Sequence, residues 1–197
     1  MLINKTIENF LAETAAERPL LPAGGSSIAL CAALASALTE FTANTTIGLE
    51  GYEEVQEHMN QISQGASEYR ERFTSYMDED AEAYSELVSA YKMPQETESE
   101  IKARQETISQ FAKKATLVPL SLAQDTYQLL ELIQTALDKG NSKATGDART
   151  AYYLAKAAIQ ASINNVKINV TMLDDPDFTH DVIRHIQSLE NSLAIQE

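Results

Sequence analysis

The chain has 197 residues, room for one sizeable core, and carries 29 acidic against 15 basic side chains, a formal net charge of -14. So acidic a surface repels phosphate, which argues against nucleic acid or an anionic membrane as a partner. The lone Cys31 excludes an internal disulfide, and the N-terminus shows no basic segment followed by an apolar core, so a cytoplasmic protein is expected.

Glycine and proline are scarce and fall at punctuation points, and the segments between them read as helix. A first helix is expected from about Ile3 to Ala16, with Leu2, Ile3, Thr6, Ile7, Phe10 and Leu11 at helical spacing and Arg18-Pro19 ending it. A second starts near Ser26 and runs to about Leu49. A third starts near Tyr52 and reaches Val88 or Ala90, before Tyr91-Lys92-Met93-Pro94 interrupts it. Thr97-Glu98-Ser99-Glu100 fits a capping box for a fourth helix, which runs to Leu137 and closes at Lys139-Gly140. Pro119 lies inside it and is expected to kink or divide it, because its ring removes a hydrogen bond and crowds the preceding turn. The fifth helix spans about Ala144 to Met172, and Asp174-Asp175-Pro176 separates it from a sixth, about Pro176 to Ile195. The expected architecture is all-α: one domain over 1–197, an elongated up-and-down bundle of about six helices. Such long helices cannot cover a wide site alone, so a dimer or larger oligomer is expected. No stretch reaches the roughly 20 apolar residues of a membrane helix, because Ser26, Ser27, Ser36, Thr39 and Glu40 interrupt the Ala-rich run.

The second helix opens on Gly24, Gly25 and Ser26 and continues in Ala, Leu and Ser. Small side chains let a neighbouring backbone come close, which reads as a tight helix crossing. The helix start also leaves free N–H groups where an anion or a carbonyl can bind. No Gly-Lys-Ser/Thr follows the pair and no strand flanks it, so neither a phosphate loop nor a dinucleotide fingerprint is present.

On the fifth helix Asp147, Leu154, Ala158, Ala161 and Asn165 share one stripe, with Asn169 about 40° away. Asp147 and Asn165 are 18 positions apart, about 27 Å along a helix, so they cannot surround one small reacting centre. They serve opposite ends of a long ligand or different sites; otherwise Asp147 is a first-turn carboxylate and the asparagines are inter-helix hydrogen bonds. The MDEDAEAY run is mostly a solvated acidic face, but Asp80 and Tyr84 lie one turn apart and can share a polar network. Asn44 sits late in the second helix, within reach of a neighbour. Lys92, Arg104 and Lys143 are among the few cations available to an anionic ligand. His58, His180 and His185 form no metal-ligand spacing, so no metal is expected, and no serine-nucleophile pattern appears. What remains is carboxylates, amides, lysines and backbone N–H groups, suited to proton transfer and water addition at an electrophilic carbon.

Seven pieces in order resemble one family: PAGGSSIAL at 22–30, ANTTIG at 43–48, DEDAEAY at 78–84, AYKMP at 90–94, VPL at 118–120, NSKATGDA at 141–148 and NNVKIN at 164–169. Together they are similar to the cyclodeaminase domain of formiminotransferase-cyclodeaminase and to stand-alone methenyltetrahydrofolate cyclohydrolases. Ala23 stands where the family usually has a glycine, and Gly146 where it usually has a serine before Asp147. The resemblance implies an all-helical, usually dimeric enzyme acting on a tetrahydrofolate one-carbon group, with no tightly bound cofactor. It either closes 5-formiminotetrahydrofolate to the methenyl form with release of ammonia, or hydrolyses the methenyl form. On that basis Asp147 is the expected catalytic carboxylate and Asp80 the second candidate. Gly24, Gly25, Ser26, Asn44 and Asn165 are expected to contact the folate, and Lys92, Arg104 and Lys143 its glutamate tail. A noncatalytic folate-binding or structural helical protein is the alternative.

Overall fold

A computed structural model describes residues 1–17 and 21–195. Its helices are α1 (Ile7–Ala15), α2 (Gly24–Asn44), α3 (Gln56–Tyr91), α4 (Glu98–Lys139), α5 (Thr145–Val170) and α6 (Pro176–Ile195), with no β-strand among the described residues. The 42 residues of α4 amount to roughly 63 Å of helix.

Where boundaries depart from expectation, a local cause is visible. The Asn9 N–H donates to Thr6 Oγ1 at 3.1 Å, so α1 starts at Ile7, and Leu2–Asn4 form a separate 3-10 turn. Only Phe10 of the expected apolar face is buried; Ile7 and Leu11 are 80% and 60% exposed. Arg18 and Pro19, expected to end this helix, lie outside the described residues. The second helix stops at Asn44 rather than Leu49, because Gly48 takes a φ of 74° and leaves the helical path. At α4 the capping box forms as read: the Glu100 N–H donates to Thr97 Oγ1 at 3.2 Å, and the Thr97 N–H to Glu100 Oε2 at 2.9 Å. Pro119 sits within α4 without ending it.

Four long helices form the bundle. The helix α2 packs on α3 and α5, α4 packs on the same two, and α6 lies against α4 and α5. Chain direction alternates, so the starts of α2 and α4 meet the ends of α3 and α5 at one end of the bundle. The loop after α4 meets the end of α2 at the other end: the Asn141 N–H donates to Thr46 Oγ1 at 2.8 Å.

The core sets large residues against small ones. Phe73, Met77, Leu129, Ile133 and Ile159 fill it, while Ala29, Ala32, Ala35, Ala151 and Ala155 let the backbones approach. The Ser36 hydroxyl donates to the Ala66 carbonyl of α3 at 2.6 Å, with both residues fully buried, so the small-residue stripe is a tight helix crossing. One expectation needs correction here. By length and composition α2 is long and apolar enough to cross a membrane; half of its most apolar window is buried inside the bundle. An apolar composition on nearly every face is what a core helix requires.

Candidate active site

A cleft of about 470 Å³ opens at the end of the bundle where α2 begins. Gly24 and Gly25 form its floor, and Asp80, Tyr84 and Tyr91 of α3 and Asn165 and Asn169 of α5 line its walls. Its volume falls within the range that holds small organic ligands.

Gly25 explains the glycine pair. A Cβ there would collide with the Asp80 carboxylate, which lies directly over the bare Cα. Gly24 meets nothing and opens onto the cleft. Ala23 caps the helix without a side-chain hydrogen bond, so no side chain of the cap residue covers the first N–H groups of α2.

The Ser26 hydroxyl lies 2.9 Å from the Met77 carbonyl and 3.1 Å from Asp80 Oδ2, and donates toward both. Burial pushes the Asp80 carboxyl above the usual range, while the hydroxyl and backbone N–H of Ser26 pull it partway back. A carboxyl held this way exchanges protons closer to neutrality than a free aspartate does. Ser26 itself is fully buried and does not line the cleft, so the expectation that it touches substrate is corrected: it holds Asp80.

The other residues singled out from sequence separate into two groups. Asn165 lines the cleft beside Asn169. Arg104 stands behind its rim, where Nη2 donates to the Tyr91 carbonyl at 3.1 Å and the guanidinium lies 5.9 Å from the Tyr91 ring centroid. Lys92 is exposed next to Tyr91. The remaining three sit at the far end. Asn44 Oδ1 accepts from the Ser63 hydroxyl at 2.6 Å, Lys143 is exposed in the 3-10 turn before α5, and Asp147 is half-buried in the first turn of α5. Asp147 therefore does not face the cleft beside Gly24 and Gly25 within one chain, because α5 runs from the far end towards the cleft. Sequence reading did not place Tyr91 or Ala115 at the cleft, and it noted Asn169 without selecting it. Tyr91 had a signal in its position at the helix break. Among the described residues no three His, Cys, Asp or Glu side chains come together to hold a metal ion.

Comparison with known proteins places the chain in a family. The sequence model of the formiminotransferase-cyclodeaminase family matches residues 6–188. A methenyltetrahydrofolate cyclohydrolase of Methylorubrum extorquens is 32% identical over 186 residues, covering 94% of this chain and 89% of that protein. A formimidoyltransferase-cyclodeaminase of Mus musculus is 28% identical over 188 residues, 95% of this chain but 35% of the mouse protein. The crystal structure of a formiminotetrahydrofolate cyclodeaminase from Thermotoga maritima superposes with a TM-score of 0.87 at 25% identity, covering 97% of this chain and 91% of that one. With residues 6–188 matched by the family model and a cyclohydrolase 32% identical over nearly the whole length, this chain belongs to the formiminotransferase-cyclodeaminase family.

Proposed function

We propose that the protein is a folate one-carbon enzyme that hydrolyses 5,10-methenyltetrahydrofolate to 10-formyltetrahydrofolate in the cleft at the start of α2. The observation that carries the reading is the Asp80 carboxylate over the bare Gly25 Cα, held by Ser26 and open to the cleft. The methenyl carbon bears a cation shared between N5 and N10, and a carboxylate beside it stabilises that charge. Asp80 takes a proton from water as the water oxygen bonds to the methenyl carbon. The C–N5 bond then breaks, Asp80 returns its proton to N5, and the new hydroxyl loses its proton to solvent as the formyl C=O forms. Asn165 orients the folate by hydrogen bonding, and Arg104 and Lys92 attract the glutamate tail at the rim.

A second reading runs through the same residues and is favoured by the likeness to the Thermotoga maritima cyclodeaminase. N10 of 5-formiminotetrahydrofolate attacks the formimino carbon and passes its proton to the imino nitrogen. Protonated Asp80 then supplies the second proton, and ammonia leaves. Supplying the two folates separately, and following methenyl absorbance and ammonia release, tests both. Methenyl loss no faster than in buffer would rule out the hydrolase reading, and absence of ammonia would rule out the deaminase one.

The working unit in this reading is a homodimer. Leu34 and Phe41, seven positions apart on the outward face of α2, are 50% and 49% exposed, and no charged residue occurs between Gly24 and Glu40. A second copy packed antiparallel on that face would bring its far end to this chain's cleft, and with it the partner's Asp147.

A further inference from the structure

The contact between α4 and α5 holds a residue the reading above leaves without a task. Pro119 has no N–H, so the Ala115 carbonyl, four positions earlier, lacks its helical donor. The Asn169 side chain supplies one: Nδ2 donates to the Ala115 oxygen at 2.7 Å. A carbonyl oxygen only accepts, so the contact fixes which way the amide turns. Nδ2 faces α4, and Oδ1 is left on the other branch of the planar group. Ala115 and Asn169 both line the cleft that Asp80 and Gly25 line.

We propose that Asn169 is a recognition residue of this cleft: its Oδ1 accepts a hydrogen bond from an N–H of the ligand, and Pro119 is the positioning residue that keeps it turned that way. The ligand class is therefore one that presents an N–H donor, as an amidine or a reduced pterin ring does. The assignment rests on the cleft being the reaction site. With an ordinary residue at position 119, the restored N–H would bond the Ala115 carbonyl, and Asn169 would be free to offer either end. A proline inside a buried helix is destabilising, and here it removes that competitor.

The test is a cycle of Pro119→Ala, Asn169→Leu and the double variant, assayed with 5,10-methenyltetrahydrofolate. Pro119→Ala is expected to raise KM by about three- to tenfold, the size of one neutral hydrogen bond, with kcat changed less than about twofold and Tm not lowered. Asn169→Leu is expected to raise KM at least as much, and adding Pro119→Ala to it should raise KM no further. An unchanged KM for Pro119→Ala, or independent effects that multiply in the double variant, would overturn the assignment. Asp80→Asn separates this from the underlying reading. Full activity there would overturn the cleft as the reaction site, whereas an inactive Asp80→Asn beside an unchanged Pro119→Ala would overturn only the role of Asn169.

Discussion

The Asp80 carboxylate fills the space that a side chain at Gly25 would need. Gly25→Ala is accordingly expected to force the carboxylate off Ser26. Overpacking of this kind costs about 1–3 kcal/mol, and turnover should fall with it. Gly24→Ala is the matched control for stability: nothing lies near its Cβ, so Tm should hold or rise slightly. Thermal denaturation of both variants beside wild type checks the contrast.

Burial raises the Asp80 carboxyl above its unfolded value, and the sign of the consequence follows. As pH rises through the ordinary aspartate range, the unfolded chain gives up this proton before the folded one does. The folded state then binds more protons, so this group's contribution lowers stability with rising pH until it ionises in the fold as well. Asp80→Asn should therefore raise Tm at neutral pH while lowering turnover, and the gain should vanish below the ordinary aspartate range. Tm measured against pH for both proteins reads this directly.

Away from the cleft, Asp125 is 7% exposed, accepts from the Tyr76 hydroxyl at 2.7 Å and pairs with Arg72 Nε at 2.9 Å. Burial and the nearby Asp125 push the Tyr76 phenol up to about 12, so it stays a donor at physiological pH. Asp125→Ala strands that hydroxyl between α3 and α4. A loss of about 2 kcal/mol in urea denaturation is expected, with kcat unchanged.

Much of this was legible in advance and some was not. The capping box of Thr97 and Glu100 follows from short-range chemistry written in a few adjacent residues, and small side chains announce the tight crossing at Ser36, but that Asp80 lies over Gly25 comes only from packing. The helical spacing of Leu2, Ile3 and Ile7 carries the expected start of α1 too far toward the N-terminus, because periodicity does not reveal that Thr6 caps the helix. The resemblance assigns Asp147 and Gly24 to one folate because both belong to recognisable pieces. The separation of Asp147 from Asn165, about 27 Å, combined with alternating helix direction, already implied opposite ends. The acceptor left open at Ala115 follows from Pro119, but its partner on another helix does not, since only packing brings Asn169 there.

Arg104 is tied to the Tyr91 carbonyl at the rim of the cleft. Arg104→Ala should raise KM for a folate carrying its glutamate tail, with a smaller change in kcat. A pterin substrate without the tail should be indifferent to the change. The KM ratio between the two substrates is the measurement, and added salt should shrink it.

The two-ended distribution of candidate residues gives a subunit-mixing prediction. Should the partner's Asp147 complete this chain's cleft, Asp80→Asn and Asp147→Asn would each be inactive alone. A one-to-one mixture exchanged to random dimers would recover about a quarter of wild-type activity, because one site in each mixed dimer is intact. A fully active Asp147→Asn, or no recovery on mixing, would contradict a shared site.

The central claim is that Asp80 moves the proton in this cleft, and steady-state hydrolysis of 5,10-methenyltetrahydrofolate by Asp80→Asn tests it most directly. The account predicts a fall in kcat of roughly a hundredfold or more, the scale of general acid–base catalysis, in a protein that melts no earlier than wild type. A kcat within about threefold of wild type in a folded variant would contradict it.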